Sequence, residues 1–147
     1  MIAVLQRVRS ASVEVSGRLI GSIDQGLLMF VCAEPSDSLL QAEKLIRKVL
    51  KLRIFSDEAG KMNRSLQDVG GGLLIVSQFT LAADVSSGNR PGFTAAAPAG
   101  LGRILYQHCL DCARSLHDGK VACGEFGADM QVRLVNDGPV TRPLHIN

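Results

Sequence analysis

Two groups of residues have types and spacing suited to chemistry, and neither pairs a side-chain nucleophile with a visible base. Ser77-Gln78-Phe79-Thr80 ends an apolar stretch and offers two hydroxyls, an amide and backbone N–H groups to one spot. Polar residues at the end of a buried strand often mark a site. Asn136-Asp137-Gly138-Pro139-Val140-Thr141 interrupts an alternating pattern near the C-terminus. There Gly138 allows wide backbone freedom, Pro139 fixes φ, and the bond between them is one where a cis peptide costs only about 0.5–1 kcal/mol. Each group also has an ordinary reading, a half-buried strand end and a hairpin turn.

Other chemistries find less support. Cys109-x-x-Cys112, with His108 and His117 nearby, suggests zinc, but a zinc site needs four ligands and no second pair exists; Cys32 and Cys123 are scattered. Both members of the pair fall on the apolar stripe of a predicted helix, so they read as core cysteines ahead of a metal or redox pair. No Gly-x-Ser-x-Gly elbow accompanies His108, His117 or His145, which read as surface or partly buried histidines. Gly70-Gly71-Gly72 precedes a strand rather than a helix and lacks the Gly-Lys-Ser/Thr ending of a phosphate loop. No metal or cofactor is expected.

The elements that must position these residues follow from patterning. Residues 1–8, 11–15 and 18–23 read as strands joined by hairpins, and Gly26 opens an apolar run to Ala33 that belongs in the middle of a sheet. Pro35-Ser36-Asp37 supplies a stop and caps for a helix whose Leu39, Ala42, Ile46 and Val49 face a core. Its opposite face carries Lys44, Arg47, Lys48 and Lys51, a solvated face or a phosphate-contact surface. Residues 53–55 suggest a short strand, 63–67 are ambiguous, and 73–81 begin as a buried strand that turns polar. Residues 82–98 form a long loop of the kind that frequently covers a binding site. Leu101, Ile104, Leu105, Cys109, Cys112 and Leu116 make the stripe of a second helix, closed by Gly119. Residues 130–135 and 140–146 flank the Gly-Pro turn as strands.

The whole chain, residues 1–147, reads as a single domain with no internal repeat or linker. At 46% hydrophobic and 20% charged residues it is neither disordered nor fibrous. With no Trp, one Tyr and a net charge of +2, a nucleic-acid partner must be met by a local patch. The N-terminus has no signal-peptide pattern and no apolar run approaches membrane length, so a cytoplasmic protein with reduced thiols and no membrane partner is expected.

Taken together, SQFTL at 77–81 and NDGPVT at 136–141 resemble the two signature motifs of the D-aminoacyl-tRNA deacylases. Further segments resemble the family in order and spacing: Gln6-Arg7-Val8, Arg53-Ile54-Phe55-Ser56-Asp57 continuing to Gly60-Lys61-Met62-Asn63, Leu81-Ala82-Ala83-Asp84, Arg90-Pro91-Gly92-Phe93 and Gly124-x-Phe126-x-Ala128-x-Met130. Gly92 stands where many relatives carry serine, and the cysteines are particular to this chain. The resemblance implies an α/β (α+β-like) fold, a compact, mostly antiparallel, barrel-like sheet with two packed amphipathic helices. It implies a homodimer with its active site at the subunit interface, binding the 3′ acceptor end of D-aminoacyl-tRNA or Gly-tRNA and hydrolysing the ester. Ser77, Gln78, Phe79 and Thr80 would be catalytic. Gly138 and Pro139, in a cis peptide and flanked by Asn136, Val140 and Thr141, would reach into the partner's site to reject L-residues. Phe126 and Met130 would help form the pocket for the terminal adenosine, or pack in the core; Arg7 would brace the incoming loop.

Overall fold

The computed structural model describes residues 1–147. Long strand β1 (Ile2–Val15) organises it, because three other strands pair with it. Its second half is antiparallel to β2 (Arg18–Ile23), and its first half to β3 (Gly26–Cys32). Along nearly its whole length the other edge is antiparallel to β8 (Met130–His145).

Two parallel pairings extend the sheet, which alternation alone does not specify. β3 pairs with β6 (Gly72–Ser77), and β6 with β7 (Val121–Cys123). Parallel neighbours need crossovers, usually helical, and the chain supplies one for each. Helix α1 (Leu39–Lys51) lies between β3 and β6 in sequence, and α3 (Ala99–Leu116) between β6 and β7. The first crossover also contains a small hairpin, β4 (Phe55–Ser56) and β5 (Met62–Arg64), and a single turn, α2 (Leu66–Val69). The sheet curls until β2 meets β7: a Cβ on Gly21 would lie 2.5 Å from the Cys123 carbonyl oxygen. The result is a nearly closed barrel.

Side-chain alternation then builds two cores. Leu27, Met29 and Val31 of β3, with Leu73 and Ile75 of β6, face α1 and α3. Leu28, Leu74 and Val76 face the barrel interior with Val8, Ala11 and Val13. Both faces of β3 and β6 are therefore dry, which is why their sequences are continuously apolar.

Several expectations shift. The cap of α1 is Ser38, whose hydroxyl accepts from Leu40 N–H while Gln41 accepts from Ser38 N–H. Asp37 accepts instead from Glu34 N–H. The stripe of α3 is rotated: Ile104 is 59% exposed, and Tyr106, Leu110 and Ala113 are buried in its place. Gly119 does not close that helix, which ends at His117. A Cβ on Gly119 would sit 2.6 Å from Gly71 O and 2.5 Å from His117 Nε2, so the glycine permits close packing. His117 is buried, its Nε2 2.7 Å from Gly71 O.

Gly26 faces Gly72 at the start of the parallel ladder, where a Cβ would fall 1.9 Å from Gly72 O. That neighbour is backbone and cannot rotate away. Gly26→Ala is expected to cost about 3 kcal/mol or more by urea unfolding, whereas Gly100→Ala, with nothing within 4 Å on an exposed helix turn, is expected to be neutral or stabilising.

Candidate functional site

The Ser77–Thr80 site is made where β6 loses its neighbour. Val31 pairs with Ser77 as the last rung, and Gln78 N–H still donates to Val31 O at 2.8 Å. Beyond it β3 turns away, so β6 curls into a 3-10 helix, Phe79–Ala82, in which Leu81 N–H donates to Gln78 O at 3.2 Å. The strand therefore ends at Ser77, short of the expected Leu81. The amides of Phe79 and Thr80 open this turn, so no carbonyl within it faces them. Gln78 Nε2 donates to Thr80 Oγ1 at 2.5 Å, fixing the two side chains to each other. The thiol of Cys32 lies 3.6 Å from Phe79 O. Burial, with Glu34 nearby, pushes that thiol up, so at neutral pH it remains a donor.

This strand end borders a cavity of 680 Å³. Ser77, Gln78, Phe79, Phe126 and Met130 all line it, whereas Thr80 does not. Sequence reasoning missed Cys32, Phe93, Tyr106 and Asp129 in its wall. Phe93 returns the long loop to the site: Asp84 and Gly92 exchange two backbone bonds of 2.8 and 2.9 Å, and the Phe93 ring meets Phe79 edge-on at 5.0 Å. Its place in Arg90-Pro91-Gly92-Phe93 was the available signal. Tyr106 packs beside Phe126, ring centroids 5.8 Å apart, and donates to Ile75 O at 2.9 Å. Burial holds that hydroxyl protonated, well above the ordinary tyrosine value.

The Gly-Pro segment is no hairpin. β8 runs through it as one strand, with Gln6 opposite Thr141 and Val8 opposite Asn136, so residues 137–140 bulge out opposite Arg7 alone. Gly138 has φ +125°, and its bond to Pro139 is cis. Asn136 Nδ2 donates to Thr141 Oγ1 at 3.0 Å and pinches the base of the bulge. Arg7 is no surface residue: its side chain is 12% exposed. It donates from Nε to Asp137 O at 3.2 Å and from Nη1 to Ile54 O at 2.7 Å. Arg7 thus braces the loop of its own chain. Behind it, Asp57 ties down the β4–β5 turn; hydrogen bonds from the Asn63 side chain, then from Lys61 and Ala59 N–H, lower its carboxyl below the usual value.

Within one chain the two motifs are apart. Arg7 and Asp137 line a second, smaller cavity, and Gly138 and Pro139 line neither. Arg7 pairs with Leu27 and Ser77 with Val31, four residues further along β3; that is about 13 Å of strand. Val140 and Thr141 stay with the bulge.

No three His, Cys, Asp or Glu side chains come together as metal ligands. Cys109 is buried in the helix-facing core, and burial, then neighbouring Cys112, pushes its thiol up to about 12. Cys112 Sγ is 3.4 Å from His108 Nε2. No helix is long and apolar enough to cross a membrane.

Fold and cavity together define an α/β barrel protein whose site is walled by apolar groups and backbone rather than by a catalytic triad. A profile of the family described as D-Tyr-tRNA(Tyr) deacylase matches residues 4–145, and the chain belongs to that family. A D-aminoacyl-tRNA deacylase of Methylibium petroleiphilum is 67% identical over 144 residues, covering 98% of this chain and 94% of its own. One from Azoarcus sp. is 63% identical over 146 residues, covering 99% and 96%. Among solved structures, a c-Myc DNA unwinding element binding protein superposes with a TM-score of 0.95 at 40% identity, over 100% and 99% of the two chains. A probable eukaryotic D-amino acid tRNA deacylase shares the fold, with a TM-score of 0.84 at 16% identity over 97% of each chain.

Proposed function

We propose that this protein hydrolyses the ester joining a D-amino acid, or glycine, to the 3′ end of tRNA in the cytoplasm, and that it works as a homodimer. The observation that carries the reading is the Phe79 amide, which opens a 3-10 turn at the cavity wall beside Ser77 and Gln78, with the Thr80 amide next in the turn. Water attacks the ester carbonyl, and the oxyanion that develops takes hydrogen bonds from those two amides. Such donors are typically worth about 3–4 kcal/mol of barrier each. The proton lost by the water passes by way of the ribose 2′-hydroxyl to the departing 3′-oxygen, leaving free amino acid and tRNA. Thr80 Oγ1 is engaged by the Gln78 amide, and no histidine lines the cavity, so non-covalent hydrolysis is favoured over a threonine nucleophile.

Selectivity would come from Gly138-Pro139 of the second subunit. β8 has no strand on its outer edge, Val135 is 52% exposed there, and Asn136 Oδ1 is buried without a partner. A long open edge is normally covered, and a second copy would both cover it and bring the bulge to the cavity. Backbone carbonyls of the bulge would hold the α-ammonium, leaving room for a D side chain while an L-residue drives its Cβ into Gly138-Pro139. Glycine, with no Cβ, passes. Rejection by a clash predicts tolerance of many D side chains.

The test uses purified protein with one tRNA carrying, in turn, a D-amino acid, glycine and the matching L-amino acid. Release from the first two, with the third spared and with chelator having no effect, is expected; no release from any D-aminoacyl-tRNA would refute the proposal. In the same assay Thr80→Ala should keep activity within about tenfold, the scale of one neutral hydrogen bond, with no acyl-enzyme trapped on the wild type.

A further inference from the structure

A cavity of 680 Å³ suits one aminoacylated nucleoside, so a tRNA held there leaves through the mouth with its preceding phosphates in tow. A net charge of +2 supplies little general attraction for them. Most arginines of the chain are already engaged, for instance Arg7 and Arg9 with Asp137, Arg47 with Glu43, and Arg133 with Glu14.

Two with no ion pair or hydrogen bond belong to elements that wall the cavity. The Arg103 guanidinium carbon lies 4.8 Å from the centre of the Phe126 ring, which lines the cavity together with Gly102. The ring fixes the cation by its face and leaves the N–H donors free for an anion. Arg90 sits on the exposed loop closed by the Asp84–Gly92 bridge, three residues before Phe93, whose ring rests against Phe79. The two cations therefore come from different elements, one tied to the Phe126 side of the cavity and one to the Phe79 side.

We infer that Arg103 and Arg90 grip the phosphodiesters that precede the aminoacylated nucleoside in the single-stranded 3′ end of tRNA. The inference rests on the deacylase reading and adds to it the contact that distinguishes a tRNA from a bare aminoacyl nucleoside. Arg103 touches Phe126, so its loss could disturb the pocket itself; a substrate without phosphates separates the two effects.

Arg90→Gln, Arg103→Gln and the double variant are assayed against wild type on D-aminoacyl-tRNA and on the same D-amino acid esterified to adenosine. On tRNA at low salt, KM should rise about threefold for each single variant and about tenfold for the double, with kcat unchanged. The salt dependence of log KM should become shallower by about 0.7 per arginine removed. On the adenosine ester all four proteins should be equal. Unchanged KM and salt slope in the double variant overturn the inference, and so does an equal loss on both substrates. A slope carried by Lys48→Gln and Lys51→Gln on α1 would move the contact there and overturn it too. Wild type inert on both esters would remove the deacylase reading itself, and this inference with it.

Discussion

Phe79→Pro is expected to lower kcat on D-aminoacyl-tRNA about 10²–10³-fold below Phe79→Ala. The comparison isolates one backbone donor, since both variants lose the ring that meets Phe93 but only proline loses the N–H. Position 79 accepts proline because it opens the 3-10 turn, a conformation whose φ lies near the proline value and whose first amide has no partner within the turn. Gln78, which precedes it, has φ −148° and ψ 80°, outside the helical region that a following proline disfavours. Neither neighbour would serve. Gln78 N–H holds the turn to Val31 O, and proline at 80 would follow a helical residue. Single-turnover rates on the two variants, with circular dichroism to show that both fold, provide the measurement. Equal rates would mean that the Phe79 amide does not meet the oxyanion.

How far such a site was legible depends on which interactions made it. The continuous apolar runs before Cys32 and Ser77 announced strands dry on both faces, and they are. The helices were legible from spacing, although Ile104 was placed inward and is exposed, because a stripe of small and aromatic residues, Tyr106 and Ala113, competes with it for the buried face. Gly70 ends α2 at φ 61°, while a Cβ on Gly72 would meet the Ile23 side chain at 2.8 Å. A glycine triplet in sequence does not say which of these roles it serves.

The Gly-Pro segment departs from the hairpin alternative in a more instructive way. Turn residues between two alternating stretches imply a reversal, yet β8 keeps its direction because β1 pairs with it on both sides of the bulge. That is long-range pairing, with β1 and β8 at opposite ends of the chain, and local propensity holds no record of it. Arg7 was expected to meet an incoming loop and instead holds its own chain's bulge, again because the partner lies 130 residues away in sequence. The separation of the two motifs within one chain is a further consequence of register, and it turns a question about residues into one about subunits.

Gly138→Ala should lower kcat/KM on D-aminoacyl-tRNA by about 10–100-fold and narrow the preference over L-aminoacyl-tRNA. At φ +125° a Cβ would lie 2.9 Å from Val140 Cγ2 and 3.0 Å from Arg7 Nη2, so the bulge or the side chains that hold it must shift. A non-glycine residue held in that region costs about 1–3 kcal/mol, and the bulge has solvent on its outer side into which it can relax. Global stability should change little, since residues 138 and 139 are exposed and the β1–β8 pairs on both sides remain. A decisive form of the experiment mixes this variant with Phe79→Pro, each expected alone to keep about a tenth of wild-type activity or less, and lets subunits exchange. In a two-fold dimer each site would take its turn from one chain and its bulge from the other. A mixed dimer then has one site with an intact Phe79 amide and an intact Gly138, and one site lacking both. Random exchange makes half the dimers mixed, so activity should return to about one quarter of wild type. If each bulge served its own chain's cavity, every site would lack one part and mixing would restore nothing.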